Sequence, residues 1–282
     1  MEQQQKLHTD GERKSHRHSS KTSKSKPPTQ HQKIWRFLKG KTVVNAGEKG
    51  GGNGKSYVFD KLLSYILSIQ QDEEYLVFDC DRSNPTTWLY YHDVMEIRTT
   101  ISFTEDESEN FLGDELVEQI VAGKSPILMD TPSQLARALA DAYFNRGLQD
   151  SAKAYNFSFI FFYISPCDRH SLTQFTKILR RFGADGISWI LVKNLYRTKK
   201  EDWEELLKEK SLVSALKTHS VVQMYMPELK RPEITMIEKQ TLSFDKAIKA
   251  ASLCGQTRLL KYQSEFFNEF EAAFLALIEQ QQ

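Results

Sequence analysis

Glycines, a lysine and a serine stand between residues 43 and 56 in an order that can hold a phosphate chain. The stretch reads Val43-Val44-Asn45-Ala46-Gly47-Glu48-Lys49-Gly50-Gly51-Gly52-Asn53-Gly54-Lys55-Ser56. An apolar run enters the glycines, and Gly54-Lys55-Ser56 opens onto a periodic apolar segment over 57–69. That is the strand–loop–helix context of a phosphate-binding loop. Gly50, Gly51, Gly52, Asn53 and Gly54 let backbone N–H groups turn toward an anion at close range. The helix that follows, from Lys55, Ser56 and Tyr57 onward, adds its unpaired N–H groups and positive dipole end. Lys55 is placed to reach the β and γ phosphates, and Ser56 to hold Mg²⁺ through its hydroxyl. A flexible linker before a helix would account for the glycines alone. It would not account for the coincidence of strand, Gly-Lys-Ser and amphipathic helix.

Two further carboxylate sets have the right context. Residues 75–79 form an apolar run that ends in Asp79-Cys80-Asp81-Arg82-Ser83-Asn84-Pro85-Thr86-Thr87. Carboxylates at i and i+2 share one face of an extended chain. At the carboxyl end of a parallel strand they face the ligand crevice. The plainer reading is a pair of turn-capping aspartates before Asn84-Pro85. Farther on, Ile127-Leu128-Met129-Asp130 is three apolar residues followed by aspartate. This is the pattern of a strand that delivers a Mg²⁺-holding carboxylate next to a phosphate loop.

The spacing of the loop departs from GxxxxGK[ST]: the first glycine position falls on Lys49. The string KGGGNGKS resembles the deviant Walker A motif of the ParA/MinD family, KGGxGK[ST], with one residue more. The resemblance spans about residues 41–245. It implies an ATPase in which Lys49 reaches the partner's nucleotide across a dimer. It implies that Asp81 orients the attacking water, that Asp79 stands nearer the magnesium shell, and that Asp130 holds Mg²⁺. Thr131-Pro132 then begins a second switch. The family places an asparagine that hydrogen-bonds adenine where Asn194 stands, and Met226-Pro227-Glu228-Leu229 resembles the segment that closes over the base. A plain loop asparagine is the alternative for Asn194. No NKxD follows it, which disfavours guanine. Asp-Arg-Ser-Asn-Pro, Val-Lys-Asn-Leu and Leu-Ser-Phe at 242–244 look most like the StbB/MobD-type ATPases of plasmid stability and mobilisation.

The elements that must position these residues follow from the alternation of apolar runs with periodic segments. Strands are expected at 42–46, 75–79, 96–103, 126–130, 157–164, 189–192 and 221–225. Helices are expected at about 134–155, 171–182, 201–216 and 257–278, with another ending near Gly123. The pattern predicts an α/β fold: a doubly wound, mostly parallel sheet of about seven strands with helices on both faces. In the last helix Leu260, Phe267, Phe270, Phe274 and Ile278 are expected on a core-facing stripe. Its Glu265, Glu269, Glu271 and Glu279 argue against docking on an anionic membrane.

The 282 residues divide unevenly in charge. Residues 1–39 hold ten Lys/Arg and three Asp/Glu, net +7, which leaves −6 for the rest of a chain of net +1. Residues 1–33 have almost no apolar side chains, a composition that does not offset the entropy of ordering. We therefore divide the chain into a disordered basic tail, 1–38, and a P-loop ATPase domain, 39–282. The tail could contact DNA phosphates non-specifically. Its histidines have no metal-site spacing. Cys80, Cys167 and Cys254 form no ligand-spaced pair, which argues against a zinc site or a disulfide framework. No run of about 18 apolar residues predicts a membrane span, and no apolar leader region is found at the start.

The reading that results is a cytoplasmic, Mg²⁺-dependent, ATP-hydrolysing dimerisation switch, with nucleoid association through its tail. It would work in plasmid or DNA partition, mobilisation or cargo positioning, with ATP-dependent homodimerisation, a further protein partner and no membrane. Two rivals differ in kind. A metabolic P-loop enzyme, such as a dethiobiotin-synthetase-like ligase, would be stimulated by a small molecule. A non-hydrolysing adaptor would bind ATP without turnover.

Overall fold

Runs buried on both faces decide the sheet. The computed structural model describes residues 27–47, 54–70, 74–81, 84–101, 112–133, 136–183, 186–196 and 198–282. In order they form α1 (Gln30–Leu38), β1 (Lys41–Ala46), α2 (Lys55–Ile69), β2 (Leu76–Asp79), α3 (Thr86–Tyr91) and α4 (Leu112–Val121). Then come β3 (Ile127–Asp130), α5 (Ala136–Asn145), α6 (Leu148–Ala154), β4 (Ser158–Ser165), α7 (Arg169–Phe182) and β5 (Ile187–Asn194). The chain ends with α8 (Lys200–Leu206), α9 (Lys210–Thr218), β6 (Val222–Met226), α10 (Arg231–Gln240), α11 (Phe244–Ala250) and α12 (Leu253–Gln280).

The strands make one six-stranded sheet in the order β2-β3-β1-β4-β5-β6. Every pairing is parallel. Side chains alternate between its faces. Val43, Ile160, Phe162, Ile190 and Val192 pack on one side with α1, α2, α11 and α12. Val44, Phe159, Phe161, Trp189 and Leu191 pack on the other with helices α4 to α9. This is the doubly wound architecture that the sequence pattern predicts. From β1 the chain runs out to β2, and from β4 it runs the other way to β5. The crevice between β1 and β4 is therefore the switch point where such sheets hold ligands.

The sheet has six strands and not about seven. Of the segment expected at 96–103, the described residues 96–101 supply only an isolated bridge, Arg98 to Phe78, and 102–103 lie outside the described residues. Arg98 N–H donates to Val77 O and Arg98 O accepts from Asp79 N. Glu96, Thr99 and Thr100 around it are exposed, so there is no second apolar face to extend the pairing.

Other boundaries also move. The helix expected over 134–155 is two, α5 and α6, with Gly147 at φ 78 capping the second. The helix expected over 201–216 is likewise split into α8 and α9. Within the stretch assigned to the tail, Thr29 and Gln32 form a capping box that starts α1, and Ile34, Trp35 and Leu38 are buried. The folded body thus begins near Thr29 and not at residue 39. Residues 1–26 lie outside the described ones. No described helix is long and apolar enough to cross a membrane.

Candidate functional site

The parallel register lines up the carboxyl ends of three strands. Asp130 pairs with Asp79 on one side and with Asn45 on the other. Asn45 Nδ2 donates to Asp130 Oδ1 at 2.8 Å and to the Lys55 carbonyl at 2.9 Å. It thereby ties the end of β1 to β3 and to the first residue of α2. Thr131 Oγ1 donates to the Asn45 carbonyl at 2.6 Å. Asn45 Oδ1 is buried and finds no donor among the described residues.

Gly54 precedes α2 in the left-handed region, at φ 84, with no side chain capping the helix. A Cβ there would stand 2.9 Å from Met226 Sδ and 3.1 Å from Asn194 Nδ2. The left-handed backbone requires glycine, and a side chain would also press on Met226 and Asn194. Among the described residues no side chain caps the first turn of α2, as an anion-binding helix start requires. Lys55 turns its ammonium to Asp130 Oδ1 at 3.2 Å and also donates to the Thr131 carbonyl.

A cavity of about 470 Å³ opens beside this helix start, a size that fits small-molecule ligands. Lys55, Ser56, Tyr57, Asp81, Asn84 and Thr86 line it, together with Asn194, Met226, Leu229 and Arg231 and, from α10, Ile234, Ile237 and Glu238. Ser56 Oγ accepts from Thr86 Oγ1 at 3.3 Å. Asp81 Oδ1 accepts the Asn84 N–H at 3.1 Å, and both residues line the cavity. Tyr57 donates its hydroxyl to Glu238 Oε1 at 3.2 Å. Burial, reinforced by Glu238, pushes that phenol well above its ordinary range.

Asp79 and Asp130 differ in their partners. Asp79 Oδ2 accepts the Trp88 N–H at 2.9 Å and Oδ1 accepts the Asp81 N–H at 3.2 Å. Burial pushes its carboxyl up from 3.8 to about 6; the two N–H bonds oppose the shift, and Asp130 and Asp81 add to it. Asp79 therefore clamps the loop after β2, while Asp130 is held by side chains from three other segments.

Asn194 and Pro227 are the residues that the sequence assigns to the base. Asn194 lines the cavity, and its Oδ1 accepts the Tyr196 N–H at 2.7 Å. Pro227 is buried but is not among the lining residues; its neighbours Met226 and Leu229 supply that surface. Lys49, Gly50, Gly51, Gly52 and Asn53 lie outside the described residues. The sequence does not single out Tyr196, Arg231, Ile234, Ile237 and Glu238. They carry no local motif: Tyr196 reaches the cavity from just after β5, and the other four from α10.

The donor set suits magnesium bound in part by a ligand. No group of three or more His, Cys, Asp or Glu able to hold a metal occurs among the described residues. Mg²⁺ takes one or two protein oxygens and completes its shell with phosphate and water. Ser56 and Asp130 are hard oxygen donors of that kind.

No family model matches the chain. No curated protein matches it. Among solved structures it is similar to the signal recognition particle receptor FtsY from Elizabethkingia anophelis. The TM-score is 0.42 at 12% identity, over 84% of this chain and 71% of that one. The fold is α/β with a six-stranded parallel sheet, and β1 and α2 flank the glycine-rich stretch of the sequence.

Proposed function

We propose that the chain binds Mg-ATP and hydrolyses it as a switch of the ParA/MinD kind, controlling self-association. One observation carries the reading: Lys55, Ser56, Asp81 and Asn194, from three separate parts of the chain, line one cavity, with Asp130 bonded to Lys55 beneath it. Lys55 and the uncapped start of α2 hold the β and γ phosphates. Ser56, backed by Asp130, holds the magnesium, which neutralises phosphate charge when bound. Asp81, which lines the cavity, orients a water for in-line attack, and no covalent step on the protein is required. Asn194 and the wall formed by Met226 and Leu229 hold the base. Lys49 is proposed to complete the partner's site in an ATP-bound dimer, and the basic N-terminal segment to bind DNA phosphates.

The test measures equilibrium binding of a fluorescent ATP analogue, competition by ATP and GTP, and phosphate release. Lys55→Ala should lose about 2 kcal/mol or more of Mg-ATP affinity, the value of hydrogen bonds to a charged group. Asp81→Ala should bind ATP as the parent does but turn over about a hundredfold more slowly. Unchanged affinity in Lys55→Ala would remove the phosphate-loop assignment. Unchanged turnover in Asp81→Ala would remove that residue from the mechanism. GTP competing better than ATP would overturn the adenine assignment.

A further inference from the structure

Successive residues at the start of α3 each bond to a different part of the site. Thr86 Oγ1 donates to Ser56 Oγ at 3.3 Å. Thr87 Oγ1 donates to Asp130 Oδ2 at 2.9 Å. The Trp88 N–H donates to Asp79 Oδ2 at 2.9 Å. Pro85 occupies the cap position and makes no side-chain cap bond. Trp88 is the third residue of α3, so Asp79 serves as a remote cap for that helix. First-turn threonines often spend their hydroxyls on nearby backbone; here both are spent on the site.

The bond to Asp130 is the informative one. Asp130 Oδ1 accepts from Asn45 and from Lys55. Oδ2 accepts from Thr87, which is itself buried. A carboxylate whose second oxygen is held by a buried hydroxyl has one orientation, and orientation is what an outer partner provides to a metal-holding group.

We infer that Thr87 is a positioning residue: it sets the Asp130 carboxylate for the divalent cation, with Thr86 doing the same for the Ser56 hydroxyl. The start of α3 is thereby mechanically joined to cation occupancy. This rests on the magnesium–nucleotide reading above. Thr87 touches neither nucleotide nor metal and acts through Asp130. Its consequence reaches the surface, because the next residue, Trp88, is 39% exposed and stacks on His92 at 4.5 Å. Trp35, Trp189 and Trp203 are buried, so Trp88 is the tryptophan whose emission reports on α3.

The experiment titrates Mg²⁺ against full-length protein and a fluorescent ATP analogue, with a parallel binding curve in EDTA. Thr87→Val keeps the shape and removes the donor; Thr87→Ser keeps the donor. Thr87→Val should raise the half-saturating Mg²⁺ concentration about tenfold or more, the usual effect of losing an outer-sphere partner. Its EDTA curve and its melting profile should match the parent. Thr87→Ser should return the Mg²⁺ midpoint to within about twofold of the parent. Mg²⁺ should also change Trp88 emission in the parent and not in Thr87→Val, with Trp88→Phe removing the signal. An unshifted midpoint in Thr87→Val overturns the inference. So does equal weakening with and without Mg²⁺, or failure of serine to rescue, since either would mark a structural role only. A parent that binds no nucleotide in any condition overturns the functional reading itself, and the inference with it.

Discussion

Lys61 shows how closely a charge is managed beside the cavity. Its side chain is fully buried, with Nζ 2.8 Å from Asp60 Oδ2 and facing the Phe244 ring. Asp60 also accepts the Tyr91 hydroxyl and lines the cavity. Burial lowers the Lys61 pKa from 10.5 to about 8, with Asp60 opposing the shift. Between those values the unfolded chain binds more protons than the native one, so this lysine's contribution to stability rises with pH across the window. Below pH 8 its charge costs on the order of 3 kcal/mol, at about 1.4 kcal/mol per unit. Lys61→Met should therefore gain most on the parent near pH 7 and lose that advantage by pH 10.5. Denaturant unfolding of both proteins across this range checks it. A stability difference independent of pH would mean that Lys61 titrates normally.

The helices show the same dependence on neighbours at a larger scale. α12 buries Leu259, Tyr262, Phe266, Phe270, Ala273, Phe274 and Leu277. Phe270 stacks on Phe266 at 4.7 Å and lies 5.7 Å from Tyr65 of α2. The stripe expected from the sequence shares Phe270 and Phe274 with this face. Leu260, expected inside, is 51% exposed. A 3.6-residue period places adjacent apolar residues almost equally well, and the packing partner chooses between them. Leu259→Ala should cost about 2–5 kcal/mol through the cavity it leaves. Leu260→Ala should stay within about 0.5 kcal/mol of the parent. Urea denaturation of the two variants separates them, and equal losses would contradict the helix phase.

At the scale of the whole molecule, charge and fold divide at different places. The basic composition extends to residue 39, whereas the packed body reaches back through α1, which contacts α2, β1 and α12. Residues 1–26 hold seven Lys/Arg and three Asp/Glu, hence net +4. Removing residues 1–26 should leave thermal stability unchanged and flatten the salt dependence of any DNA binding. Removing 1–38 also deletes Ile34, Trp35 and Leu38. The loss should exceed the roughly 3–5 kcal/mol typical of one large aromatic truncation. Calorimetry of the two truncations tests this, and equal melting temperatures would place α1 outside the cooperative unit.

The candidate phosphate loop can be read from the chain because its residue types lie within one short stretch, with β1 ending at Ala46 and Gly54, Lys55 and Ser56 following at the start of α2. Asp79, Asp81 and Asp130 were legible for a related reason, since each ends or follows an apolar run that a parallel sheet must bury. Tertiary packing decided the rest. Whether 96–103 joins the sheet depends on a second apolar face that Glu96, Thr99 and Thr100 do not provide. Thr86 and Thr87 look like ordinary helix-start residues until α3 packs beside α2 and β2 and brings Thr87 to Asp130. Arg231, Ile234, Ile237 and Glu238 line the cavity because α10 is laid across it by its contacts with α11. Each of these choices is a meeting of segments distant in the chain, and side-chain periodicity specifies that a face is apolar without specifying what will cover it.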